Sequence, residues 1–222
     1  MAQTEVNKNY THACEHQLVN INHNICSIAQ IGYTAEEFKQ ILEFYVLNAP
    51  ILKSDKTDVF GMKSLRDFGW KGSSDMNRLE RELLKSSQIP NFCFIKSTSI
   101  NKTLEQMLLS TQICSKHPRA VLKQDYSVTV LESGCVEVSN KETRMECLFR
   151  HIRNSIAHNH IYAFDNGNIL LEDIDNQSKG ITARILLPKT ALLKWIGIVK
   201  KETDNKDIMI YDSQETTDVK SA

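Results

Sequence analysis

Apolar residues recur along much of this chain at intervals of three and four. Between about Ala13 and Ala29, Cys14, Leu18, Ile21, Ile25 and Ile28 form such a series. Residues with that spacing share one face of an α-helix, so the stretch reads as helical. Thr34 followed by Glu37 matches a capping box. It opens a helix carrying Phe38, Ile41, Leu42 and Tyr45 that ends ahead of Pro50, because a proline disfavours helical backbone in the residue before it. Residues 51–72 read as a connection with a short helix or turn near Met62–Phe68. Ser73 or Ser74 caps a helix bearing Met76, Leu79 and Leu83, which is closed before Pro90. Asn91–Ile95 is a short apolar run open to either helix or strand. A further helix is expected from about Ile100 to Ser115, with Leu104, Met107, Leu108 and Ile113.

Period-two patterns are confined to the second half. Tyr126–Leu131 alternates weakly, and Ser133-Gly134 suits a hairpin turn. Ser139 and Glu142 offer a second capping box, opening a helix through His158. Asn168–Ile174 and Ile181–Leu187 are strand-like and flank the turn-rich segment Asp175–Gly180. Lys189 to about Lys201 is a last amphipathic helix with Leu192, Leu193, Trp195, Ile196 and Val199. Trp70 and Trp195 are expected as core anchors. Residues 1–11 are expected to fray and 203–222 to be a disordered acidic tail. The sum is a mainly α fold. A single domain over 1–202 forms a helical bundle with a small C-terminal β-hairpin and an N-terminal helical extension at 12–50.

On a helical wheel at 100° per residue, Met145, Leu148, Phe149, Ile152 and Ile156 fall within roughly 100° and form a core-facing stripe. Arg150, Asn154 and His158 recur every four residues on the other side. Arg153 lies on the flank, about 140° from His158, so a straight helix does not join those two by itself. Either the last turn loosens or a second copy of the helix completes the pair. Glu142, Arg144 and Glu146 read as a solvated, charge-paired face.

Charge changes the picture in one place. Lys plus Arg and Asp plus Glu both total 27, so the formal net charge is zero. The chain therefore cannot coat nucleic acid through bulk charge, and any such contact must be local. Between Arg144 and His160 stand Arg144, Arg150, Arg153, His151, His158 and His160 against the single acid Glu146. None of the six cysteines has CxxC spacing. The cluster His12, Cys14, Glu15, His16, His23 and Cys26 also lacks zinc-ligand spacing, and Cys14 lies on the apolar stripe. No metal and no cofactor is expected. The stretch MAQTEVNKNYTH shows no basic-then-apolar signal pattern, and no apolar run reaches membrane-spanning length, which suggests a cytoplasmic protein with reduced thiols.

Leu148-Phe149-Arg150-His151-Ile152-Arg153-Asn154-Ser155-Ile156-Ala157-His158 resembles the signature of the HEPN superfamily, whose motif is Arg, a polar residue, several variable residues and His. Arg153, Asn154 and His158 occupy those positions. The segment from Asn168, with Thr182-Ala183-Arg184-Ile185, is similar to a plasmid- and phage-defence-associated subgroup. The resemblance implies a metal-independent endoribonuclease of toxin or abortive-infection type, active as a homodimer. An antitoxin or defence partner protein enters as an expected partner, and no membrane does. In that picture Arg153 stabilises charge on the phosphoryl oxygens, His158 moves the proton and Asn154 orients the His or the phosphate. Arg150, His151 and His160 would flank the cleft as nucleic-acid contacts. Attack by a ribose 2′-OH would leave a 2′,3′-cyclic phosphate and spare DNA. The rival readings are a non-catalytic HEPN module that binds RNA, nucleotide or a protein, and a plain helical dimerisation protein.

Overall fold

A mixed β-sheet, not a helical bundle, is the centre of the molecule. The computed structural model describes residues 18–19, 31–51, 63–96, 118–130, 136–140, 142–177 and 180–202. Its six-stranded sheet runs in the order β1 (Leu18–Val19), β6 (Ile161–Phe164), β7 (Asn168–Ile174), β8 (Ile181–Pro188), β3 (Arg119–Gln124) and β2 (Phe92–Lys96). Strands β2 and β3 are parallel and the other neighbours antiparallel. Strands β4 (Tyr126–Val130) and β5 (Val136–Asn140) pair as a separate ribbon, around the expected Ser133-Gly134 turn, which lies outside the described residues. The helices are α1 (Ala35–Leu42), continued by a π-helical segment at Glu43–Leu47, then α2 (Ser73–Ser87), α3 (Arg144–Ala157) and α4 (Thr190–Lys200), with a short 3-10 helix at Leu65–Phe68.

The expectation of a mainly α bundle is thus corrected. The hairpin β7–β8 is there, but it is the middle of a larger sheet. The strands around that hairpin give weaker signals, since apolar clusters cover both faces of the sheet. Doubly covered strands do not alternate in sequence. Ile161–Phe164 is also too short to show a period, and in β3 an amide, Gln124, takes one of the buried positions.

Other boundaries shift too. Leu18 and Val19, expected within a helix, pair with Phe164 and Ala163. The rest of that stretch and the helix at 100–115 lie outside the described residues. Gly72, not a serine, is the N-cap of α2. The capping box of α3 is Thr143 with Glu146, not Ser139 with Glu142. Both quartets fit the sequence pattern, but Ser139 is committed to the β4–β5 ladder, which leaves Thr143 as the first residue free to cap.

Helix α3 packs on β7, β3 and β8. Its stripe of Met145, Leu148, Phe149, Ile152 and Ile156 is buried with Ile169, Leu171, Ala183, Ile185 and Leu187. Each full burial of such a side chain is worth about 1.5–3 kcal/mol, so the stripe fixes the rotation of α3 about its axis. Helix α4 is held by long aromatic side chains that satisfy backbone carbonyls. Trp70 Nε1 donates to Val199 O at 2.9 Å and Tyr45 Oη to Leu192 O at 2.8 Å. Trp195 Nε1 donates in turn to Leu83 O of α2 at 3.1 Å. Both tryptophans are core anchors, as their sequence context suggests.

Candidate functional site

Helix α3 is buried from Met145 to Phe149 and opens to solvent at its end. Cys147 lies on the wheel between Asn154 and His158, yet it is fully buried, with Sγ 3.5 Å from Lys123 O. Burial pushes its thiol pKa up, and nearby Glu142 adds to this. Glu142 and Glu146 do not form a solvated face. Glu146 completes the capping box, and Glu142 accepts two bonds from Arg150, Nε to Oε2 at 2.8 Å and Nη2 to Oε1 at 2.7 Å. Burial raises the Glu142 pKa, but the Arg150 bonds and charge outweigh it, and the carboxyl is held below the ordinary range. Arg144 pairs with Glu80 at 2.7 Å and covers the Phe94 ring.

The end of α3 is shaped by its C-cap. Asn159 has a φ of 58°, the left-handed region that Asn tolerates better than most residues. His160 N donates to Ser155 O at 2.8 Å and Asn159 N to Ile156 O at 3.1 Å, the paired bonds of a Schellman motif. His160 O then accepts from Glu172 N at 3.0 Å. The helix terminus is thereby fastened to β7 one residue before Asp173. His158, the C-cap itself, is exposed.

Between this terminus and the ends of β3 and β7 lies a polar cavity of about 380 Å³. Asn154, His158, Arg150 and Asp173 line it, with Lys123 and Thr182 from the neighbouring strands. The row Arg150–Asn154–His158 therefore faces a partner within its own chain. Arg153 and His160 are not among the lining residues. Arg153 is half-buried on the helix flank. Its Nη1 donates to Asn154 Oδ1 at 3.2 Å, and its Nε is buried with no hydrogen-bond partner among the described residues. The His158 and His160 rings lie 6.2 Å apart, centroid to centroid.

His151 departs from the sequence expectation. It is fully buried, at the wall of the cavity rather than on an open surface. Its Nδ1 lies 2.7 Å from Asp173 Oδ2 and its Nε2 2.7 Å from Lys123 O. Both facing atoms are hydrogen-bond acceptors, a carboxylate on one side of the ring and a backbone carbonyl on the other. Arg150 Nη2, at 3.4 Å from Nε2, is turned to acceptors of its own. Asp173 Oδ2 also accepts from Asn154 Nδ2 at 3.1 Å. Burial raises the Asp173 pKa, but the hydrogen bond and charge of His151 and the Asn154 bond outweigh it, and the carboxyl is held below its ordinary range. Asp173 was missed in the sequence because it pairs with no other acid. The one available signal was its place at the end of a strand beside the motif.

Among the described residues no group of three or more His, Cys, Asp or Glu side chains could hold a metal ion. The N-terminal His–Cys cluster lies outside those residues. No helix among them is long and apolar enough to cross a membrane.

A capped helix thus carries Asn154 and His158 to a polar cavity, with Arg153 bonded to Asn154 on its flank. Residues 78–207, more than half of the chain, match the family model HEPN pEK499 p136, and the protein belongs to that HEPN family. Membership points to a nucleotide-binding or ribonuclease-type function. Comparisons with curated proteins and with solved structures find no match.

Proposed function

We propose that the protein is a metal-independent endoribonuclease of toxin or abortive-infection type, working as a homodimer in the cytoplasm. The observation that carries this reading is the meeting of Asn154 and His158 at one solvent-open polar cavity, with Arg153 bonded to Asn154. A guanidinium offers planar donors to a phosphate. His158 is exposed at the helix end and suits proton transfer with a ribose 2′-OH or the leaving oxygen. Attack of the 2′-OH on the adjacent phosphorus breaks the bond to the 5′ oxygen and leaves a 2′,3′-cyclic phosphate. Arg153 supplies fixed positive charge to the phosphoryl oxygens as that charge develops. A second copy facing the same helix end would bring another Arg–His set, which answers the separation of Arg153 from His158 on one helix. Arg150 and His160 remain as flanking contacts for the RNA, and an antitoxin or defence partner as the regulator.

The test is end-labelled single-stranded RNA with the purified protein in EDTA, beside the His158→Ala variant. Cleavage to cyclic-phosphate ends that the variant loses supports the reading. No cleavage by either protein, with RNA still bound, favours the non-catalytic module. One feature speaks for that rival. Carboxylates of Asp125, Asp173 and Asp175 share the cavity wall and oppose a phosphate placed deep within it.

A further inference from the structure

An Asn side chain has two ends of nearly equal size and opposite hydrogen-bonding sense, so its neighbours decide which way it points. At Asn154 that decision comes from β7. The Asp173 carboxylate can only accept, so it faces the amide nitrogen, at 3.1 Å. The amide oxygen is thereby turned toward Arg153, whose Nη1 donates to it at 3.2 Å. Asp173 is fixed in its turn. Its Oδ2 accepts a hydrogen bond from Nδ1 of the buried His151, whose other nitrogen lies against Lys123 O on β3. The backbone bond from Glu172 N to His160 O ties the same stretch of strand to the helix terminus. An unbroken series of contacts thus runs from β3 through His151, Asp173 and Asn154 to Arg153.

We propose that Asp173 is the positioning residue of the Arg–Asn–His motif, held in place by the buried His151, and that it sets the Asn154 amide and through it the Arg153 guanidinium. It touches no reacting atom. The Arg153 Nε, buried and without a partner among the described residues, shows how few other bonds hold this side chain. Without Asp173 the Asn154 amide is free to rotate and to present its nitrogen to a guanidinium that can only donate. The activity arm of the test rests on the ribonuclease reading, and the structural arm does not.

The experiment compares Asp173→Ala, Asp173→Asn, Asn154→Ala and the Asp173→Ala/Asn154→Ala pair. Circular dichroism first establishes that each is folded. Asp173→Asn keeps an acceptor of the same shape, and it serves if the Ala variant does not fold. Asp173→Ala is expected to lower kcat by roughly 10–100-fold, the range typical of removing an outer-shell partner, with a smaller change in KM. Asp173→Asn is expected to lose less. In the Asn154→Ala background, removal of Asp173 is expected to cost little more, because two residues acting in series are not additive. Full additivity in that cycle overturns the proposal. Should the wild-type protein prove inactive, the ribonuclease reading fails and positioning is still read from nitrogen-15 spectra of side chains. Asp173→Ala should then move the Arg153 Nε–H, Asn154 amide and His151 ring signals. Unchanged signals in all three groups overturn the proposal independently of any activity.

Discussion

Arg150 grips Glu142 through two parallel bonds, Nε to Oε2 and Nη2 to Oε1, across eight residues of chain that include the start of α3. The pair fastens the end of β3 as well. Glu142 Oε1 accepts from Asp125 N at 3.2 Å, and Gln124 Nε2 donates to Glu142 O at 3.0 Å. Removing one member leaves the other charge largely buried. Glu142→Gln is therefore expected to destabilise the fold by about 3 kcal/mol, at the lower end for a broken buried pair, and denaturant unfolding measures it.

The same pair sets part of the acid sensitivity. The Glu142 and Asp173 carboxyls are both held below the ordinary carboxylate range when folded. The unfolded chain therefore binds protons more readily than the folded one. Their contribution is present at neutral pH and is lost as pH falls from the ordinary carboxylate range through the lowered folded values. The thermal midpoint of the wild-type protein should fall with acidification across that window. Glu142→Gln should flatten the dependence, and an unchanged slope would count against the lowered Glu142 value.

Asn159 carries the turn that ends α3. Its left-handed backbone suits Asn and Gly and opposes a β-branched residue. Asn159→Gly is expected to be near neutral, and Asn159→Val to cost about 1–2 kcal/mol. The second change should also disturb cleavage by moving His158. Urea midpoints and a cleavage assay on the two variants give the comparison, and equal stability of both would remove the Schellman turn as the device that fixes the helix end.

How far the sequence spoke depended on how each residue is buried. The Thr34 capping box, the α3 stripe, the β7–β8 hairpin and helix α4 were legible, because each signal is local and periodic. The rest of the sheet was not legible. Ile161–Phe164 is too short to show a period, and the parallel pairing of Phe92–Lys96 with Arg119–Gln124 joins segments separated by more than twenty residues. Of the candidate site, Asn154 and His158 were placed together by their four-residue spacing, and the cavity gathers them. His151, expected to flank the cleft, is buried, and a His beside the motif gives no sign in the sequence of an acidic partner. That partner, Asp173, stands on a strand 22 residues further on.

Dimer function has a test in mixing. If two copies of the motif helix share one cleft, a protomer carrying Arg153→Ala and one carrying His158→Ala complement each other. Refolded or co-expressed mixtures should then recover part of the ribonuclease activity that each variant lacks alone. Sedimentation of the wild-type protein should show a dimer at micromolar concentration. A monomer that cleaves RNA, or mixtures with no recovery, would confine the site to a single chain and leave the cavity of α3, β3 and β7 as the whole of it.

The last prediction separates roles within the motif. Arg153 keeps its charge under all ordinary conditions, so it can act as a fixed electrostatic element. Arg153→Ala should reduce cleavage by the equivalent of roughly 3–4 kcal/mol, as when one oxyanion donor is lost. Arg153→Lys should recover only part, since an ammonium lacks the planar fork that pairs with a phosphate through two parallel bonds. His158→Ala should abolish most cleavage and leave circular dichroism unchanged, because the side chain is exposed beyond the last helical turn. Ile152→Asp should unfold the domain instead, since Ile152 lies fully buried in the stripe that α3 presses onto the sheet and a lone buried carboxylate is costly. Cleavage should survive EDTA in the wild type. Full activity in His158→Ala would remove that residue as the proton-transfer group. Activity abolished by EDTA and restored by a divalent ion would replace the whole mechanism with one assisted by metal.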